Sequence, residues 1–271
     1  MIVASSSKPR SRSFRRKFWL TVSIVVACQS ALHAQNKYDF PQFGAESQIF
    51  FTQPLRWKGT DWLKFGLTGA ATILAMAADQ PIRDGVLRDQ RYYNSAPIEA
   101  GRVWGEVYMP IALFTGFAIH SLVEDDIGTR KIGYEIGQAS LYAAAITYTM
   151  KFAFGRARPY TGEGAGSYHP FSISDDDYHS LSSGHATVAF TLSTVISRNV
   201  HPLWLKILVY LPAVLTPVSR IYQDQHWVSD NLLGAAVGFF VATWVVDLHE
   251  QQESRIGLSS PYPLTLRIII N

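Results

Sequence analysis

The chain has 271 residues, of which 48% are hydrophobic and 17% charged, so it is more apolar than an average soluble domain. Its mean hydropathy of +0.05 is nevertheless low for a protein whose helices all face lipid. Residues 1–17 contain six basic and no acidic residues, which leaves 18 basic against 21 acidic residues in the remainder. The net charge of +3 therefore comes from the leader, and we expect no nucleic-acid partner.

Residues 1–34 have the pattern of an export signal peptide. A cationic stretch precedes the apolar run 18–28, and small residues lead to a cleavage site after Ala34. Cleavage there is the favoured prediction, with an uncleaved anchor helix as the alternative. Cys28 ends a weak lipoprotein-like box at 25–28, so its lipidation is a third possibility; as the only cysteine, it excludes an intrachain disulfide. The leader predicts export to the bacterial cell envelope.

The rest of the chain indicates an all-α fold. Residues 35–60 are polar and aromatic with scattered proline and glycine, which predicts an extended lead-in. A helical domain is predicted at 61–250, and the tail 251–271 contains a short predicted strand at 264–270. Within the domain, apolar stretches of helical length predict a six-helix bundle, with helices at 62–78, 107–123, 133–154, 185–198, 203–218 and 231–247.

The relation of these helices to a membrane stays open at this point. Most stretches are shorter than the roughly 20 apolar residues that a spanning helix needs. Several also contain polar groups, such as Lys64, His120 and Glu135. Gly234 and Gly238 form a small-xxx-small pattern that permits close helix approach, in soluble bundles as well as in membranes.

Three short blocks bring phosphate-handling groups to the ends of predicted helices. The first block, 151–159, ends the third predicted helix and contains Lys151 and Arg158. The second, 182–185, opens the fourth helix, and the third, 219–230, joins the fifth helix to the sixth. The spacing therefore predicts an active site at the ends of the third to sixth helices.

The residue types in these blocks suit a phosphate group. Lys151, Arg158 and Arg220 can neutralise a phosphate dianion, because arginine grips two oxygens and lysine supplies a compact charge. Ser183 and Gly184 precede a helix, where free backbone N–H groups favour an anion. Together these groups predict a site that binds phosphate.

Two histidines supply the bond-making chemistry. His226 and Asp230 are four residues apart, so on a helix they share a face, and the carboxylate can fix the tautomer of a ring that attacks phosphorus. His185 would protonate the leaving oxygen and later activate water. This scheme is complete without a metal, and we expect no cofactor. His120, His169, His179 and the acidic run 175–177 are interpreted as core or loop residues.

The three blocks resemble the type-2 phosphatidic acid phosphatase superfamily, which also contains bacterial nonspecific acid phosphatases and vanadium haloperoxidases. Its pattern is Lys, six residues and Arg-Pro, then Pro-Ser-Gly-His, then Ser-Arg, five residues, His, three residues and Asp. The first and third blocks match in full, whereas Ser182 stands where the family has proline. The resemblance implies that His226 is the nucleophile with Asp230 as its partner, that His185 is the acid, and that the phosphate is bound by Lys151, Arg158, Ser183, Gly184 and Arg220.

The resemblance implies a phosphatase acting on phosphate monoesters, with a lipid phosphate as the favoured substrate. The alternatives are a soluble periplasmic acid phosphatase, a vanadate-dependent haloperoxidase and a non-enzymatic protein that binds phosphate or lipid. The membrane branch of the family cleaves lipid phosphates at the outer face. An export signal followed by three spanning helices would instead place Lys151 on the cytoplasmic side. We favour a membrane-associated protein and leave its topology open.

Overall fold

The computed structural model describes residues 36–172 and 175–258, and the elements in these ranges are helical. The α-helices are α1 (Phe40–Thr52), α2 (Gly59–Arg88), α3 (Ala96–Trp104), α4 (Tyr108–Glu124), α5 (Ile127–Phe154), α6 (Gly184–Asn199), α7 (Leu203–Leu208), α8 (Leu211–Tyr222) and α9 (Val228–Leu258). Short 3₁₀ turns occur at Gln53–Arg56, Pro159–Thr161 and Asp176–Tyr178. One isolated β-bridge, between Arg156 and Tyr168, is the β pairing of the described ranges. The all-α prediction is confirmed.

The predicted count of six helices is not confirmed. The predicted helices correspond to α2, α4, α5, α6, the pair α7–α8 and α9, but α1 and α3 are additional. Helix α1 forms where an extended lead-in was expected. The Asp39 side chain accepts a hydrogen bond from the Gln42 N–H at 3.0 Å, and Pro41 lies in the first turn, where its missing N–H removes no helical bond.

Several sequence predictions concern residues beyond the described ranges. The leader 1–34, with Ala34 and Cys28, and the predicted strand 264–270 lie outside them. Residues 38–248 form one compact unit. Helix α9 continues past the predicted domain limit at residue 250 to Leu258. The domain limits therefore stay predictions.

The hydrophobic core lies between α5, α6 and α9. It includes Tyr142 on α5, Leu192 on α6 and Val245 on α9, each at most 2% exposed. Glycines bring α9 directly against α6. A Cβ on Gly234 would lie 2.4 Å from the carbonyl oxygen of Ser183, and a Cβ on Gly238 would lie 2.3 Å from that of Thr187. The small-residue pattern thus sets the start of α9 beside the start of α6.

Two segments of the described residues are long and apolar enough to cross a membrane, Leu203–Tyr222 and Val228–Glu253. Helices α3 and α4 together also pass this test, although they are bent by 65° at the break between them. Large apolar side chains are exposed on several helices, among them Leu74, Leu122 and Trp204. These surfaces have the composition of a protein that contacts lipid.

Candidate active site

The helix ends that hold the three sequence blocks meet at one place. Lys151 is in the last turn of α5, His185 opens α6, and Arg220 is in the last turn of α8. His226 lies two residues before the start of α9 at Val228. The ring centroids of His185 and His226 are 6.4 Å apart, and the Cε atom of Lys151 lies 4.0 Å from where a Cβ on Gly184 would stand. Residues distant in sequence are therefore neighbours here.

Local structure explains how the first and second blocks are presented. Helix α5 ends at Gly155, whose φ of 56° is left-handed, and a Cβ there would lie 1.7 Å from the carbonyl oxygen of His169. Only glycine fits this reversal, which turns the following residues back toward the site. Ser183 is the N-cap of α6, with its Oγ accepting from the Ala186 N–H at 3.3 Å.

His226 is buried, and its imidazole ring is neutral. Its side chain is 1% exposed. Burial, followed by the charges of Lys151, Arg158 and Arg220, holds the pKa of His226 well below its usual value. The imidazole is therefore neutral at physiological pH, which keeps a ring lone pair available.

The expected hydrogen bond between His226 and Asp230 is not formed. His226 Nδ1 and Asp230 Oδ2 are 3.8 Å apart, beyond hydrogen-bond distance. Asp230 Oδ2 instead accepts from Ser180 Oγ at 2.5 Å and from the Trp227 N–H at 2.9 Å, while its Oδ1 accepts from Arg156 Nη1 at 2.7 Å. Asp230 thus accepts from three other donors, and its carboxylate lies beside the ring without a hydrogen bond to it.

His185 accepts a hydrogen bond from Arg220 rather than carrying a proton toward the site. Arg220 Nη1 lies 2.9 Å from His185 Nε2, and because a guanidinium only donates, Nε2 is unprotonated. Burial and then the charge of Arg220 lower the pKa of His185 to about 2. A carboxylate oxygen of Glu106 lies 3.6 Å from the same nitrogen. The ring must therefore gain a proton before it can act as an acid.

The remaining two cations are held by a loop that follows the first block. Lys151 is buried and donates to the carbonyl oxygen of His179, and burial, followed by the charge of Arg158, lowers the pKa of Lys151 to about 7. Arg158 Nη2 donates to both carboxylate oxygens of Asp176 at 2.8 Å. Asp176, from the run expected to be a solvated face, is 74% exposed and still occupies this guanidinium.

Sequence reasoning gave no role to three residues that contact the predicted site. Arg156 stands inside the first block, two residues before Arg158, but its partners could not be identified without the fold. Ser180 precedes the second block and belongs to no pattern. Glu106 reaches His185 because α3 and α4 bend at residues 105–107, where Gly105 is the C-cap of α3, a helix-end signal that the sequence reasoning did not use.

Residues 136–254 match the family model of the PAP2 superfamily. Over these residues, which are less than half of the chain, the sequence is similar to that superfamily. The matched residues, which we call the PAP2 segment, include all three blocks and begin within α5. Helices α1 to α4 precede the PAP2 segment.

Two curated relatives are similar to part of the chain. A lipid A 1-phosphatase from Porphyromonas gingivalis is 36% identical over 103 residues, which are 36% of this chain and 20% of the relative. An undecaprenyl-diphosphatase from Sulfolobus acidocaldarius is 30% identical over 126 residues, which are 46% of this chain and 57% of the relative. The chain thus covers less than two thirds of either relative's length.

Two solved structures align with part of the chain. One is LpxE from Aquifex aeolicus, with a TM-score of 0.43, 21% identity, and coverage of 59% of this chain and 94% of that protein. The other is a transmembrane PAP2-type phosphatidylglycerolphosphate phosphatase from Bacillus subtilis, with a TM-score of 0.49, 18% identity, and coverage of 68% of this chain and 94% of that protein.

Proposed function

We propose that the chain is a membrane-associated phosphatase that hydrolyses lipid-borne phosphate monoesters through a phosphohistidine on His226. The observation that carries the proposal is the setting of His226. Its ring is buried and neutral, three cations act on it, and a second histidine stands 6.4 Å away. A neutral nucleophile facing a cationic cradle is what transfer of a phosphoryl group requires.

In the first step, His226 Nε2 attacks phosphorus, a nitrogen–phosphorus bond forms, and the ester oxygen leaves with the bonding electrons. The leaving oxygen takes a proton from His185. A bound phosphate attracts the N–H groups of Arg220, which frees His185 Nε2 and, through its negative charge, favours protonation of that ring. In the second step, His185 removes a proton from water, the water oxygen attacks phosphorus, and the nitrogen–phosphorus bond breaks to release phosphate.

Lys151, Arg158 and Arg220 would hold the phosphoryl oxygens through both steps. The free N–H groups at the start of α6, after Ser183 and Gly184, would add backbone donors. Donors that are fixed before the reaction need no reorganisation as charge develops, and this is usually the largest contribution to such catalysis. Asp230 would favour the Nδ1–H tautomer of His226, which leaves the lone pair on Nε2.

The lipid character of the substrate has two supports. The curated relatives are described as phosphatases of lipid A and of an undecaprenyl diphosphate, both of which are lipids. The exposed apolar side chains and the two candidate spanning segments fit a location at a membrane. The second relative also makes a pyrophosphate a candidate substrate beside a monoester.

Trapping the intermediate tests the proposal. The purified protein in detergent is mixed with a ³²P-labelled lipid monophosphate and quenched in base, which preserves phosphohistidine. We expect labelled protein in the wild type, none in His226→Asn, and label that decays slowly in His185→Asn. His120→Asn is the matched control and keeps wild-type labelling.

Two results would overturn the proposal. One is full turnover by His226→Asn. The other is oxidation of halide with vanadate and peroxide while all phosphate esters stay intact, which would establish a haloperoxidase instead. Parallel reactions with a lipid monophosphate, a lipid pyrophosphate and a soluble aryl phosphate define the substrate class.

A further inference from the structure

One face of α2 reaches the segment that carries the proposed nucleophile. Asp79 and Arg83 are one helical turn apart on α2, and both side chains contact residues that flank His226. Helix α2 lies before the PAP2 segment in sequence and contributed no residue to the three blocks. These contacts therefore join a helix of unassigned role to the centre of the predicted site.

The Asp79 contact runs through a fully buried arginine. Arg156 donates through Nη2 to Asp79 Oδ2 at 2.8 Å and through Nη1 to Asp230 Oδ1 at 2.7 Å, and all three side chains are 0% exposed. Asp79 also accepts from the N–H of Ser229 at 2.9 Å and from its Oγ at 2.6 Å. Water cannot replace these partners at such depth, so the position of Asp230 depends on Asp79.

The Arg83 contact holds the other side of His226. Its Nε and Nη2 atoms donate to the two carboxylate oxygens of Asp224 at 2.7 and 2.8 Å. Asp224 has a left-handed φ of 55° two residues before His226, a backbone conformation that is uncommon outside glycine. The Arg83 guanidinium also lies 5.8 Å from the ring centroid of Trp227, the residue after His226. Arg83 thus fixes the turn that enters the site.

We infer that Asp79 and Arg83 are positioning residues that aim His226, Asp79 through Arg156 and Asp230, and Arg83 through Asp224. This inference rests on the proposed function, because it takes His226 as the nucleophile. Phosphoryl transfer depends mainly on alignment of the attacking atom and on fixed charge, so displacement of the His226 segment lowers the rate more than it weakens phosphate binding.

A comparison of two anions separates the positioning of His226 from the binding of phosphate. Vanadate accepts a fifth bond from the attacking nitrogen and so resembles the transition state, whereas inorganic phosphate is held by the cations and the backbone N–H groups without a bond to that nitrogen. We expect Asp79→Asn to weaken vanadate binding at least about tenfold and to change phosphate binding less than about twofold. Asp84→Asn is the matched control on α2, since its carboxylate is exposed and bonded to Gln80, and we expect both affinities to stay at wild-type values.

Arg83→Gln keeps the inference testable if Asp79→Asn does not fold. The Arg83–Asp224 pair is 19% exposed on each side, so its loss is better tolerated, and we expect vanadate binding to weaken about threefold with phosphate binding preserved. An unchanged ratio of vanadate to phosphate affinity in every folded variant would overturn the inference. A wild-type protein that binds vanadate no better than phosphate would do the same.

The two proposals fail in different ways. If the variants change the ratio of vanadate to phosphate affinity as expected but the wild-type protein hydrolyses no phosphate ester, the proposed function is contradicted. The changed ratios would then still support the role of α2. A wild-type protein that forms a phosphohistidine, with unchanged ratios in Asp79→Asn and Arg83→Gln, supports the proposed function and contradicts the role of α2.

Discussion

Replacement of Asp176 by asparagine is expected to tighten phosphate binding. In the structure, both carboxylate oxygens of Asp176 accept from Arg158 Nη2 at 2.8 Å, so a phosphate that uses this nitrogen must first displace them. Asparagine removes the competing charge. The arm of Arg158 stays in place, because its Nε donates to the backbone carbonyl oxygen of residue 176 at 2.8 Å and its Nη1 contacts Gln225.

The size of the effect follows from exposure. The Asp176 side chain is 74% exposed and that of Arg158 is 9% exposed, so the pair is screened on one side. Such exposed pairs contribute about 0.2–1 kcal/mol. Since about 1.4 kcal/mol corresponds to a tenfold change in affinity, release of Arg158 is worth at most about fivefold.

The assay measures KM for a soluble aryl phosphate and the inhibition constant of inorganic phosphate. For Asp176→Asn we expect both constants to fall about two- to fivefold. Asp177→Asn makes the same change of charge at the neighbouring residue, whose carboxylate accepts from Tyr160 and leaves Arg158 unaffected, so its constants stay at wild-type values. An Asp176→Asn protein that binds phosphate more weakly would refute the reasoning and show that the carboxylate orients Arg158 instead.

Three further predictions follow from the site and the helix packing. The pKa of His185 is lowered to about 2, and a bound dianion raises it, so phosphate binding is expected to take up a proton and to strengthen as pH falls. Calorimetry in buffers of different ionisation enthalpy measures this proton uptake. Uptake in His185→Gln equal to that of the wild type would contradict the prediction. Gly234→Ala places a Cβ 2.4 Å from a carbonyl oxygen and is expected to lower the midpoint of thermal unfolding. Gly116→Ala is the control, because a Cβ there has nothing within 4 Å, and it is expected to stabilise α4 by up to about 1 kcal/mol. Equal midpoints in the two variants would contradict the close contact of α6 and α9. The protein is expected to stay in the membrane pellet after a carbonate wash, and its release would exclude an integral membrane protein.

The length of the apolar stretches was sufficient to predict most helices. Their lengths were underestimated where polar residues continue a helix, as in α2, which extends to Arg88 through Asp79 and Pro81. Helix α1 was missed because Pro41 and Gly44 read as turn signals, although proline in a first turn breaks no hydrogen bond. Such cases depend on capping, which composition does not reveal.

The chemical groups of the candidate site could be selected from the sequence because their spacing is local to three blocks. The hydrogen-bond partners of these groups could not be predicted from the sequence. Asp230 was expected to bond His226, but it is held by Ser180 and Arg156, which reach it through the turn at Gly155 and the approach of α6 to α9. Contacts of this kind depend on backbone geometry between distant segments, and no single local pattern encodes them.

The buried pairing of Arg156 with Asp79 bears on how the PAP2 segment of this chain could be exchanged with that of another protein. The PAP2 segment begins at residue 136, so a chimera that exchanges only residues 136–254 would carry Arg156 without Asp79. The residue at the position of Asp79 would then come from the other protein. Leaving a buried charge with one of its partners missing costs about 3–5 kcal/mol. A graft of this PAP2 segment should therefore carry α2 with it, because the buried contacts of the segment extend beyond the residues that match the family model.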